Sequence, residues 1–234
     1  MSSKKITAVC AGLVGMAALV AFPAGAGAAT FSNQNAISIG GNSVANTYPS
    51  NINVSGLTGP ITKARATLFG ITGTGTNRMQ VLLVGPGGQS VVLMRNACGD
   101  VANGYTLGFD DAAATTLPNF ANCNGLSGTF KPSDFDPNDN AFTAPAPAKP
   151  YGSTMSVFNT TQPNGTWRLF IEDDVFGGID FHTVGGGWSL DLDTAAPPAN
   201  AATGNVAKKK CAKRKGKKGK SGAKKKCRKG KKKK

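Results

Sequence analysis

Trp167, Leu169 and Ile171 alternate with Arg168, Phe170 and Glu172, and Trp188, Leu190 and Leu192 alternate with Ser189, Asp191 and Asp193. Side chains of an extended strand point to opposite faces at every second residue, so each stretch puts one apolar row on one face. Two such ribbons, each carrying a tryptophan, need a shared interior. Earlier segments repeat the pattern. Asn51-Ile-Asn-Val-Ser-Gly alternates and then turns at Leu57-Thr-Gly-Pro60, and Ile61, Ala64, Ala66, Leu68 and Ile71 alternate with one slip of phase. Met79 to Val84 enters the turn Gly85-Pro-Gly-Gly88 and returns as Val91 to Met94, a hairpin-like signal with a four-residue turn. Nothing between these segments holds a helical period for three turns. The 31 glycines and 13 prolines suit short strands joined by turns and exclude a helical bundle or coiled coil. The expectation is an all-β sandwich of about eight strands over residues 30–193.

Charge is segregated along the chain. Of 27 Lys and Arg residues, Lys4 and Lys5 open the sequence, seven lie in the body and eighteen in the last 27 positions, while all 12 acids fall between Asp100 and Asp193. A faintly acidic body is therefore followed by a polycation: Lys208, Lys209, Lys210, Lys213, Arg214, Lys215, Lys217, Lys218, Lys220, Lys224, Lys225, Lys226, Arg228, Lys229, Lys231, Lys232, Lys233 and Lys234. With no hydrophobic residue beyond Ala and Cys, residues 208–234 cannot bury a core and are predicted to be a disordered tail. Residues 194–207 read as a linker. Pro132 to Pro150, ending in Ala144-Pro-Ala-Pro-Ala-Lys-Pro150, is predicted to be extended and exposed.

Met1 to Lys5 is basic, Ile6 to Phe22 is apolar, and Pro23 to Ala29 is small, with A-x-A spacing at Ala24/Ala26 and Ala26/Ala28. That order predicts a secretory signal peptide over 1–28 and export of the remainder. The apolar run is shorter than the ~20 residues of a spanning helix, and no later segment is long enough to span, so the mature chain is not expected to be transmembrane. It is expected to be secreted, with possible retention at the cell envelope. Four cysteines remain after cleavage: Cys98, Cys123, Cys211 and Cys227. In an exported chain they suggest disulfides, with three pairings open; the simplest joins Cys98 to Cys123 and Cys211 to Cys227. Zinc has little support, with no CxxC pair and His182 the sole histidine.

Catalytic signals are weak. A Ser-His-Asp triad needs an imidazole to take the serine proton, and only His182 is available, in Asp180-Phe-His-Thr-Val184 beside a glycine-rich turn. It reads as a loop or strand-edge histidine, and no G-x-S-x-G elbow is present. Calcium is the one cofactor the spacing suggests. Asp134, Asp136 and Asn138 recur at alternate positions like the oxygen ligands of a cation loop, with Asp139 where a glycine is expected and no twelfth-position glutamate. Glu172-Asp-Asp174 is a second acidic candidate. The tail carries the strongest signal, since eighteen cations in 27 residues bind dense anionic surfaces by releasing counterions. Outside the cytoplasm these surfaces are acidic envelope polymers, lipid headgroups or released DNA, and without aromatics to stack on bases any nucleic-acid binding is non-specific.

Val81-Leu-Leu-Val-Gly-Pro-Gly-Gly-Gln-Ser-Val-Val-Leu93, Asn164-Gly-Thr-Trp-Arg-Leu169 with Glu172-Asp-Asp174, and Gly185-Gly-Gly-Trp-Ser-Leu190 resemble, in order, segments of the P (Homo B) domain of subtilisin-like proprotein convertases. Phe109-Asp-Asp-Ala-Ala112 and the Ala-Pro-Ala-Pro run are similar to phrases of bacterial exported domains of this kind. The resemblance covers roughly Phe31 to Asp193 and implies a jelly-roll β-sandwich of the galactose-binding-like type. Thr72 to Met79 departs from it, standing where such domains commonly carry His-Thr and acids. The family's domain usually accompanies and stabilises a protease domain, for which this chain has no room. Together these readings give an exported, non-enzymatic binding or accessory module held near the envelope by its tail, with a partner protein or glycan at the sandwich. The alternatives are a secreted polyanion-binding protein and a hydrolase or protease-associated domain.

Overall fold

A computed structural model of the chain describes residues 27–41, 43–99, 101–121, 123, 126–173 and 181–196. The strands are β1 (Gly27–Asn33), β2 (Ile37–Ile39), β3 (Ser50–Val54), β4 (Ile61–Thr74), β5 (Met79–Val84), β6 (Ser90–Arg95), β7 (Val101–Phe109), β8 (Gly128–Phe130), β9 (Ser133–Asp134), β10 (Gly165–Asp173), β11 (His182–Val184) and β12 (Trp188–Thr194). Two short 3-10 turns, Thr76–Arg78 and Met155–Phe158, are the helical elements among the described residues. The all-β expectation holds, with twelve strands among the described residues where about eight were expected from the pattern. The surplus comes from pieces of two or three residues, too short to show alternation.

The strands form two sheets. One runs β1-β12-β4-β11-β2, with β7 on the other side of β4 and β8 beyond it; the second runs β3-β10-β5-β6-β9. Pairing is antiparallel except for β6 with β9 and β7 with β8. The predicted alternation becomes the fold's interior: Trp167, Leu169 and Ile171 from the second sheet meet Trp188, Leu190 and Leu192 from the first, all at most 1% exposed. A tryptophan hides roughly 150–250 Å². At ~25 cal/mol per Å², each contributes up to about 4–6 kcal/mol against an extended chain. Each indole also has its polar end satisfied: Trp167 Nε1 donates to Pro163 O at 2.9 Å, and Trp188 Nε1 donates across the sandwich to Ser50 Oγ at 3.0 Å.

The phase slip in Ile61–Ile71 has a local cause. The register against β7 shifts between Leu68 and Ile71, where Gly70 takes φ +66°. A β-bulge inserts a residue on one strand and resets which side chains face inward. The Gly85 turn is one residue longer than its sequence signal, because Gln89 closes it by accepting from Gly85 N at 2.8 Å.

One expectation needs correction. Pro132 to Pro150 is not free of the domain. Phe142 is 4% exposed and packs with Leu82, Val84, Val92 and Phe170 on the outer face of the second sheet, with Tyr48, Ala146 and Tyr151 beside them. The segment is a strap over that sheet. This is why β5 and β6 are buried at every position and lack alternation, as strands covered on both faces do. It is also why Phe170, on the face opposite Trp167, is fully buried.

Candidate functional site

His182 lies in β11, which pairs with β4 on one side and β2 on the other, so it is a central strand residue and not an edge or loop histidine. Its side chain is 0% exposed, and Nε2 is 3.1 Å from Asp173 Oδ2. Asp173 ends β10 in the opposite sheet, so the pair ties the two sheets together. Burial pushes the imidazole below its usual range, the Asp173 carboxylate pulls it part of the way back up, and the Arg78 charge adds to the lowering. Nδ1 is buried and unpartnered. A proton acceptor has to reach the group it deprotonates, and this one faces the core.

Glu172 and Asp173 are neighbours in sequence but strand alternation sends them apart. Glu172 turns to the strap: its Oε2 accepts from Tyr48 Oη at 2.9 Å and from Thr143 N at 3.0 Å. Burial, followed by the adjacent Glu172 charge, drives the Tyr48 phenol far above its ordinary range. Glu172 and Asp173 therefore do not face a common ion, and Asp174 lies outside the described residues.

The Asp134 loop is organised by cations of the protein itself. Asp134 Oδ1 accepts from Asp136 N at 3.1 Å, and Asp139 Oδ2 accepts from Gln80 Nε2 at 2.9 Å. Beneath the loop, Arg95, fully buried, donates from Nη1 to Asp136 O at 3.0 Å and stacks 5.1 Å from the Phe142 ring centre. From the strap, Lys149 Nζ donates to Pro137 O at 3.0 Å and to Asp139 O. Calcium binds through six to eight oxygens, main-chain carbonyls among them. Here a guanidinium and an ammonium hold three of the loop's carbonyls, Asn138 is exposed, and no group of three or more His, Cys, Asp or Glu among the described residues could hold a metal. As arranged, Asp134, Asp136, Asn138 and Asp139 do not fit the ion.

Cys98 and Cys123 form a disulfide across 25 positions. Cys211 and Cys227 lie outside the described residues, as do the eighteen cations from Lys208 to Lys234 and most of the expected signal peptide. β1 begins at Gly27, paired with Thr194. Among the described residues no helix is long and apolar enough to cross a membrane.

Several structurally important residues carried no sequence signal. The strand read from Val91 to Met94 stops one residue short of Arg95, and Phe142 falls in the segment expected to be exposed. A further feature lies where the edges of β1 and β3 approach each other. Asn33 Nδ2 donates to Ser50 Oγ at 3.2 Å and to Asn51 O at 3.0 Å, while its Oδ1 accepts from Asn35 N at 3.1 Å. Around this post opens a groove of about 580 Å³ lined by Phe31, Gln34, Asn35, Asn51 and Asn53, among others. Asn51 and Asn53 share a face by the period of two, which is the one sequence hint of it.

No family model matches the chain, and no curated protein matches it. Among solved structures it is similar to a serine protease of Aeromonas sobria in complex with its chaperone, at 15% identity and a TM-score of 0.35, over 72% of this chain and 27% of that one. A second structure, of the serine protease of Aeromonas sobria, gives 14% identity and a TM-score of 0.35 over 72% of this chain and 27% of that one. This chain thus spans little more than a quarter of the proteins it matches. At that TM-score the likeness is too slight to assign an activity or a partner.

Proposed function

We propose that the chain is an exported, non-catalytic binding module: a β-sandwich bearing the recognition surface, and a polycationic segment, residues 208–234, that holds it to acidic polymers of the cell envelope. The observation that carries the non-catalytic reading is the placement of His182. The chain's sole histidine is sealed between the sheets against Asp173, with no exposed face from which to take a substrate's proton. The order of the Val81–Leu93, Asn164–Leu169 and Gly185–Leu190 phrases supports reading the sandwich as a P-domain-like accessory module. The Cys98–Cys123 bond suits an oxidising compartment, in keeping with export. Retention follows from charge: each Lys or Arg near an anionic surface contributes up to ~1 kcal/mol, falling with salt.

Removing residues 208–234 tests the anchoring. The full chain is expected in the envelope fraction at low salt and the shortened chain in the medium; equal retention of both overturns the assignment. The density of cations favours a second reading, in which polyanion binding is itself the function. The logarithm of the DNA binding constant should then fall linearly with the logarithm of salt concentration, and DNA binding should vanish with the tail, while envelope retention stays unchanged by its removal.

A further inference from the structure

We propose that the groove between the edges of β1 and β3 is a binding site for neutral glycans. The inference rests on reading the sandwich as the recognition part of a binding module, and it names the site and the ligand class.

Carboxamide residues dominate the lining. No ionisable residue lines the groove; Asn33, Gln34, Asn35, Asn51 and Asn53 bring carboxamides to it, with Phe31, Ser32 and Ile52 beside them. A carboxamide presents a donor and an acceptor side by side, and so do adjacent hydroxyls of a sugar, which makes the two groups complementary in pairs. A charged ligand would find no counter-charge there. Phe31 is half-buried, packed against the core at the open edge of the sandwich, and supplies an apolar surface for the C–H face of a sugar ring. At about 580 Å³ the groove lies within the ~300–1,000 Å³ of small-ligand sites.

The groove is also preorganised. Asn33 is fixed by three hydrogen bonds and sets the distance between the two edges. Asn53 Oδ1 accepts from Thr166 Oγ1 at 2.8 Å, which orients its amide and leaves Nδ2 to donate. The side chains of Gln34, Asn35 and Asn51 are exposed and make no hydrogen bond to a described residue. Ordering these three side chains on a ligand carries an entropic cost that the already fixed Asn33 and Asn53 amides do not incur. An extended peptide is the competing occupant, because among the described residues β1 pairs only with β12 and β3 only with β10, and free strand edges accept added strands. The Asn33 amide, however, takes the Asn51 carbonyl, breaking the ladder that a five-residue strand could offer.

The test uses the full chain and beads bearing mannan, galactan, xylan or glucan, all uncharged. Binding is measured at ~1 M salt, where the screening length is ~3 Å and the polycationic tail is silent. The wild type should be retained on at least one polysaccharide and eluted by the matching free oligosaccharide. Gln34→Ala/Asn35→Ala/Asn51→Ala, whose sites are exposed and unpaired, should melt as the wild type does and lose at least tenfold in retention. Retention of the wild type on none of the four, or equal retention of wild type and triple variant, overturns the proposal. So does binding to an arrayed set of extended peptides that the triple variant loses, in the absence of polysaccharide binding. None of these outcomes depends on residues 208–234, so failure here leaves the envelope reading standing, and release tests of the tail leave this one standing.

Discussion

Phe142 anchors the strap, and its replacement by alanine gives the most direct measure of how firmly the segment is seated. The ring is 4% exposed, meets Tyr151 edge-on at 5.6 Å between ring centres, and carries the Arg95 guanidinium at 5.1 Å. Truncation of a buried phenylalanine costs about 3–5 kcal/mol through lost transfer energy and the cavity left behind. Loss of the cation–π contact adds ~0.5–2 kcal/mol and leaves Arg95 buried with a single carbonyl partner. The strap can relax over part of the cavity, so Phe142→Ala is expected to lower stability by about 3 kcal/mol in equilibrium urea unfolding. Two consequences should appear together. The melting transition shifts down, and limited proteolysis cuts between Pro132 and Pro150 under conditions in which the wild type is intact. A loss below about 1 kcal/mol, the ordinary cost of a point substitution, with unchanged proteolysis would refute the reasoning, because it would mean the outer face of the second sheet does not depend on this cover.

Replacing both Cys98 and Cys123 by serine removes a cross-link over 25 positions; the loop-closure estimate is a loss of about 3.5 kcal/mol, read in urea. His182 predicts a pH dependence. Its folded-state pKa is lowered by burial, so the unfolded chain takes up a proton first. The associated stability is therefore full above about 6.5 and is lost as pH falls through the lower folded value. Unfolding free energy measured from about pH 7 to about pH 5 should decline in the wild type and lose that component in His182→Gln; matching profiles would sink the assignment. At the Asp134 loop, added calcium or a chelator should leave the wild-type melting temperature unmoved, while Lys149→Ala should lower it by loosening the carbonyls of Pro137 and Asp139. A calcium-dependent rise in the wild type would show that the ion displaces Lys149.

Legibility followed the range of the interaction. Where a residue's fate depends on its own strand, the pattern was readable. Trp167 and Trp188 face the core because their alternation admits no other placement, and the slip near Ile71 became a bulge. The Cys98–Cys123 bond was among three open pairings, and the fold brings those two Cα atoms to 5.1 Å. Where the fate depends on a partner far along the chain, the pattern does not show that partner. Glu172-Asp-Asp174 and Asp134-x-Asp-x-Asn138 looked like ligand sets because spacing alone was visible. Glu172 and Asp173 turn to opposite faces, and the main-chain carbonyls of Asp136, Pro137 and Asp139 in the second are held by Arg95 and Lys149, which no local rule associates with it.

The amino-acid order by itself determined that this chain forms apolar-lined ribbons and that eighteen of its cations crowd into its last 27 positions. Alternation, turn residues and charge density act over a few positions and need no knowledge of neighbours. Only the tertiary structure decided that His182 is interior, that the proline-rich segment is a cover for the second sheet, and that Asn33 and Asn51 meet across a groove. Each of these depends on which surfaces of two twisted sheets come to face one another. That is set by the sum of many long-range contacts, and no short stretch of sequence encodes it.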